Sequence, residues 1–104
     1  ENKRVQVQEL LRINSAIQGP LILGGDFNAV PTDQTITTLK QSFASGCPLA
    51  CPYTYLAASP TRTIDYIFLN QAAASAFSVL SYRTNGEGQA SDHKAVVAEL
   101  KYNN

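Results

Sequence analysis

At 104 residues the chain is one domain or a piece of one, and no segment is long or apolar enough to span a membrane. Eight Lys and Arg balance eight Asp and Glu, so the formal net charge is zero and there is no electrostatic footprint for gripping a polyanion unaided. The chain holds no methionine, so Glu1 is not an unprocessed start and an upstream portion is expected.

Val7, Leu10, Leu11, Ile13 and Ile17 recur at helical intervals and Gly19-Pro20 stops the run, which predicts a helix over residues 3–17. The aliphatic run Leu21-Ile22-Leu23, ending in two glycines, predicts a buried strand over 20–24 that breaks into a loop reaching Pro31. Thr32 or Asp33 is suited to cap a second helix, whose apolar stripe is Ile36, Leu39 and Phe43. Residues 45–60, with three prolines, Tyr53 and Tyr55, read as a long irregular connection. Strands are predicted at 63–69, 76–82 and 95–101; in the last, Val96, Ala98 and Leu100 alternate with Val97, Glu99 and Lys101. Asn85-Gly86-Glu87-Gly88 is a turn-prone loop before it. The order is mixed α/β, predicted as one mixed or antiparallel sheet with two helices on one face and a meander at the end.

Chemistry concentrates at the strand ends. In Gly25-Asp26-Phe27-Asn28, alternation sends Asp26 and Asn28 to one side and Phe27 into the core. A carboxylate beside a carboxamide can accept a proton and donate to an anion, although Asp, Asn and Gly also build ordinary turns. Gly24 and Gly25 are expected to permit close backbone approach. Asp65 interrupts the apolar run Thr63-Ile64-Asp65-Tyr66-Ile67-Phe68-Leu69, and a carboxylate buried there needs a donor. His93, in Ser91-Asp92-His93, is the only histidine and the natural candidate. Tyr53, Tyr55 and Phe43 suit packing better than a base-stacking platform. Arg62 either meets a phosphate or is simply solvated. Cys47 and Cys51 offer either a metal site or a small-loop disulfide. One distant histidine leaves too few ligands for zinc, and a disulfide would imply an oxidising compartment, secreted or periplasmic.

Taken in order, GDFN at 25–28, IDYIF at 64–68 and SDH at 91–93 resemble the endonuclease/exonuclease/phosphatase superfamily, with its deoxyribonuclease I-like fold. The resemblance runs along essentially the whole chain, yet matches only the C-terminal part, less than half, of such an α/β sandwich. It implies a metal-dependent phosphoester hydrolase of nuclease, phosphodiesterase or phosphatase type. Asp26 would then orient or deprotonate the attacking water and Asn28 would donate to that water or to a phosphate oxygen. His93 would hydrogen-bond the scissile phosphate, Asp65 would orient His93, and Asp92 would lie near Mg2+ or Mn2+. The resemblance also implies that the main metal-binding glutamate, an early asparagine and a second histidine lie upstream of Glu1. The chain alone would then be half a site with negligible turnover, and the competing reading is a non-catalytic module that binds a partner or a phosphate ligand. A nucleic-acid-binding domain is disfavoured by the neutral charge. The expected partners are a phosphoester of undetermined class and the missing N-terminal half of the domain or a second copy. The family packs two sheets face to face, and this chain is expected to carry strands of only one, leaving an apolar face that needs cover.

Overall fold

The computed structural model describes residues 2–47, 51–57, 60–85 and 91–104. In chain order the elements are α1 (Asn2–Ala16), β1 (Ile22–Asp26), α2 (Gln34–Leu39), β2 (Phe43–Ser45), β3 (Asp65–Asn70), α3 (Gln71–Ala76), β4 (Phe77–Asn85) and β5 (Ala95–Tyr102). Strands β1, β3 and β2 form one antiparallel sheet in that spatial order, and β4 pairs with β5 in a second.

The mixed α/β class is as predicted, but the expected single sheet with two helices resolves into two antiparallel sheets and three helices. The reason lies in residues 70–76. Asn70 caps α3 by accepting the Ala73 N–H at 2.8 Å, and this short helix turns the chain away before it can ladder onto β3. The helix is six residues of small side chains, too short and too uniform to show a period. The two sheets meet instead through Tyr82 of β4. Its hydroxyl accepts the Ile67 N–H at 3.3 Å, and its ring lies where a side chain at Gly46 would have to go. The chain therefore carries strands of both sheets, not of one.

Helix α2 is capped by Asp33, whose Oδ1 accepts the Thr35 N–H at 2.8 Å. It ends at Leu39, too early to place Phe43 on its stripe. Phe43 opens β2 opposite Asn70 instead, and reaches the same core from there. That core holds Val7, Ala29, Ile36, Leu39, Phe43, Tyr66 and Phe68, with Leu10, Leu11 and Leu23 packed against it. Phe68 is fully buried at its centre, edge-to-face with Phe27 at 5.2 Å and with Phe43 at 6.5 Å. Asn70, 4 % exposed, joins three elements: its Oδ1 also accepts the Leu21 N–H, and its Nδ2 donates to Asn14 and to the Gly19 carbonyl.

The first strand, expected to be buried, is largely exposed within this chain. β1 is an edge strand, and Ile22 is 43 % exposed. The stretch at 45–60 is less irregular than expected, since Ser45 closes β2 and Tyr55 bridges Arg62. Cys47 and Cys51 form a disulfide, with Cα atoms 5.4 Å apart, which removes the zinc alternative. Gly86, Glu87 and Gly88 of the predicted turn lie outside the described residues. Among the described residues no helix is long and apolar enough to cross a membrane.

Candidate active site

Register brings the first two acids together. Asp26 ends β1, Asp65 begins β3, and they are Cα partners across the antiparallel ladder. Side chains directly opposite share a face, so both carboxylates point to the same side of the sheet. His93 arrives from a different direction, in the loop before β5. Its N–H donates to Ser91 Oγ at 3.0 Å and its backbone bridges Tyr55.

His93 Nδ1 donates to Asp65 Oδ2 at 2.8 Å. A carboxylate has no proton to give, which assigns the proton to Nδ1 and leaves Nε2 facing Asp26 Oδ2 at 3.7 Å. The side chains of Asp65 and His93 are 14 % and 29 % exposed, and Asp26 is more open at 37 %. The hydrogen bond to Asp65 holds the imidazole above its ordinary pKa. Partial burial opposes this, and the charges of Asp65, Asp26 and Asp92 add to it.

The loop after β1 is both turn and site. Asp26 Oδ1 accepts the Asn28 N–H at 2.8 Å, and Asn28 takes a left-handed φ of 52°. Lys3 Nζ reaches across from α1 to the Asn28 carbonyl at 2.7 Å. Gly25 is needed for its φ of 153° rather than for close approach, because nothing lies within 4 Å of where its side chain would start. Phe27 turns inward onto Tyr66 and Phe68.

Asp26, Asp65 and His93 offer ligand atoms within 4.8 Å of one another. Asp92 stands outside this group. Its side chain is exposed and its carbonyl accepts the Ala57 N–H, while its charge still acts on His93. Within the cluster Asp26 is the most open carboxylate, the kind of ligand that a hard divalent cation takes beside water and phosphate oxygens. Asp65 and His93 are already committed to each other.

Two tyrosines support the site, Tyr66 in a role that its sequence context does not signal and Tyr55 by packing. Tyr66, 1 % exposed, donates its hydroxyl proton to the Ala29 carbonyl at 2.7 Å, with the Thr63 carbonyl at 3.1 Å, and so ties the site loop to β3. Burial drives its phenol far above the usual range, so it stays a donor. Tyr55 lies against His93, ring centroids 4.9 Å apart, and carries the Arg62 guanidinium on its ring at 4.8 Å. Arg62 is thus not simply solvated, since its guanidinium rests on the Tyr55 ring. Tyr55 packs as expected, whereas Tyr53 is 55 % exposed.

No curated protein matches this sequence. Two solved structures share its fold. One is an endonuclease/exonuclease/phosphatase from Bacteroides vulgatus, 20 % identical, TM-score 0.79, aligned over 97 % of this chain and 44 % of its own. The other is the Bacteroides thetaiotaomicron VPI-5482 mannosyl-6-phosphatase Bt3783, 21 % identical, TM-score 0.65, aligned over 96 % of this chain and 44 % of its own. This chain thus spans less than half the length of either. Residues 1–93 match the Endonuclease/Exonuclease/phosphatase family, with the GDFN, IDYIF and SDH segments inside that span, and the chain belongs to that family.

Proposed function

We propose that this chain is the C-terminal part of a metal-dependent phosphoester hydrolase in which water attacks phosphorus. The observation that carries the reading is the 2.8 Å bond from His93 to Asp65, set beside Asp26 at 3.7 Å. One carboxylate orients the imidazole and favours its charged form. The other is open to solvent and free to orient or deprotonate a water. Charged His93 donates through Nε2 to a phosphoryl oxygen, and Asn28 supplies a neutral donor to that water or oxygen. Asp92 would lie near Mg2+ or Mn2+, an ion that neutralises phosphate charge when bound.

The chain spans 44 % of each structure it resembles, and β1 leaves one sheet edge unpaired. On this reading the rest of the domain completes both sheet and site, and the isolated chain turns over little substrate. The disulfide favours an oxidising compartment. The zero net charge tilts the substrate away from bulk nucleic acid, toward a small phosphoester.

The test is hydrolysis of p-nitrophenyl phosphate and bis-p-nitrophenyl phosphate by the intact protein and by residues 1–104 alone, with Mg2+ or with EDTA. The expected result is metal-dependent turnover by the intact protein only, lost in His93→Ala. Robust turnover by the isolated chain, or turnover indifferent to His93, overturns the reading.

A further inference from the structure

Thr54 lies in the loop that follows the disulfide, and nothing in the proposed chemistry uses it. It is nevertheless 1 % exposed, among the most buried side chains of the molecule. Its Oγ1 accepts two backbone N–H groups, from Ile64 at 3.0 Å and from Asp65 at 3.2 Å. Its carbonyl accepts the N–H of Lys94, the residue after His93, at 2.8 Å. Among the described residues, strand β2 pairs with β3 at Phe68, Leu69 and Asn70 and not beside Asp65, so there the sheet itself offers no partner on that side. The hydroxyl stands in for the missing strand.

These bonds close a ring. Thr54 holds the backbone of Asp65, the Asp65 carboxylate holds the His93 imidazole, and the backbone beside His93 returns to Thr54. The two partners are 28 residues apart in sequence and sit on separate sheets or their loops, so no local element sets their distance. A hydrogen bond of 2.8 Å tolerates little displacement of either end. A residue bonded to both backbones is in a position to set that distance.

We propose that Thr54 is a positioning residue of the site, its hydroxyl fixing Asp65 and its carbonyl fixing His93 so that the two side chains meet. The proposal rests on the Asp65–His93 pair being functional, and it adds how the pair is held. Valine has the shape of threonine but cannot accept a hydrogen bond, so Thr54→Val leaves the Ile64 and Asp65 N–H groups buried and unpaired. Serine keeps the acceptor.

The test is NMR on the intact protein, following the downfield Nδ1–H resonance that Asp65→Asn abolishes, together with hydrogen exchange at the Ile64 and Asp65 amides. In Thr54→Val that resonance should broaden away or move upfield, and the two amides should exchange about tenfold faster or more, the worth of one hydrogen bond. Thr54→Ser should restore both. Leu39→Ala, a core change at a fully buried residue outside the site, should leave the resonance in place, which separates positioning from general destabilisation. If Thr54→Val does not fold, Thr54→Ala carries the same comparison, because water can enter and keep part of the fold. A wild-type resonance and wild-type protection in the folded variant overturn the proposal. An Asp65→Asn protein that loses no downfield resonance overturns the pair itself, and with it both the proposal and the functional reading.

Discussion

Asp26 and Asp65 stand directly opposite each other across the β1–β3 ladder, and the His93 imidazole lies between their carboxylates. Like charges at facing positions of an antiparallel pair oppose folding. Two acids aimed at one point are therefore a cost, which a cation nearby offsets. Protonated His93 is that cation within this chain, and a divalent ion would act in the same sense. The arrangement ties stability to the occupancy of the site.

The pH dependence follows. His93 titrates above its ordinary value of 6.5, first because of the Asp65 hydrogen bond. A folded-state pKa above the unfolded one means that the stabilisation is fully present below 6.5 and is lost as pH rises through the raised value. In metal-free buffer, denaturation midpoints should decline over that window, and the imidazole C2-proton titration should centre above 6.5. Asp65→Asn should lower that centre and flatten the decline. A native midpoint at or below 6.5 contradicts the geometry.

Asp26→Asn should separate stability from activity. The amide oxygen can still accept the Asn28 N–H, so the turn survives, while the charge facing Asp65 disappears. With His93 neutral and no metal present, the variant should be as stable as the native chain, or more so by a few tenths to about 1 kcal/mol. Turnover by the intact protein should fall by roughly 10²–10⁴, the range for losing a general base. Urea denaturation and the phosphoester assay read the two effects separately. A clearly destabilised variant would mean that the Asp26 carboxylate is structural.

The parts legible in the sequence were those with strong local grammar. Leu21-Ile22-Leu23 followed by glycines marked a strand end, and an acid inside IDYIF demanded a partner, for which His93 was the natural candidate. The convergence of Asp26, Asp65 and His93 follows from those placements together with the antiparallel register. What was not legible depends on tertiary partners. Helix α3 exists because Asn70, buried among three elements, caps it, and Phe43 left its predicted helix because β3 offered it a pairing partner. Thr54 and Tyr66 look like ordinary members of a loop and a strand. Their roles appear only when Asp65 and Ala29 are seen at the other end of their hydrogen bonds.

Tyr66→Phe should cost more than a single methylene-scale change. The ring and its packing on Phe68 survive, but the buried Ala29 carbonyl loses its donor. An unsatisfied buried acceptor costs about 1–3 kcal/mol. Because Ala29 follows Asn28 directly, amide exchange at Phe27 and Asn28 should accelerate beyond the global loss of stability. Equal acceleration at all amides would mean that the hydroxyl supports the core and not the loop.

The exposed apolar surface predicts association of the isolated chain. β1 is an unpaired edge carrying Ile22 at 43 % exposure, and Leu80 and Tyr102 of the second sheet are 64 % and 63 % exposed. Edge strands with exposed apolar side chains template pairing with another chain, and the one charge on β1, Asp26, stands at its far end from Ile22. Within a complete domain the remaining half is expected to take that place; without it, a second copy should. Sedimentation velocity on residues 1–104 should show concentration-dependent association and binding of a hydrophobic dye. Ile22→Lys, which places a charge on the open edge, should reduce both. A monodisperse monomer at high concentration that binds no dye would mean that the two sheets and three helices cover themselves well enough to stand alone.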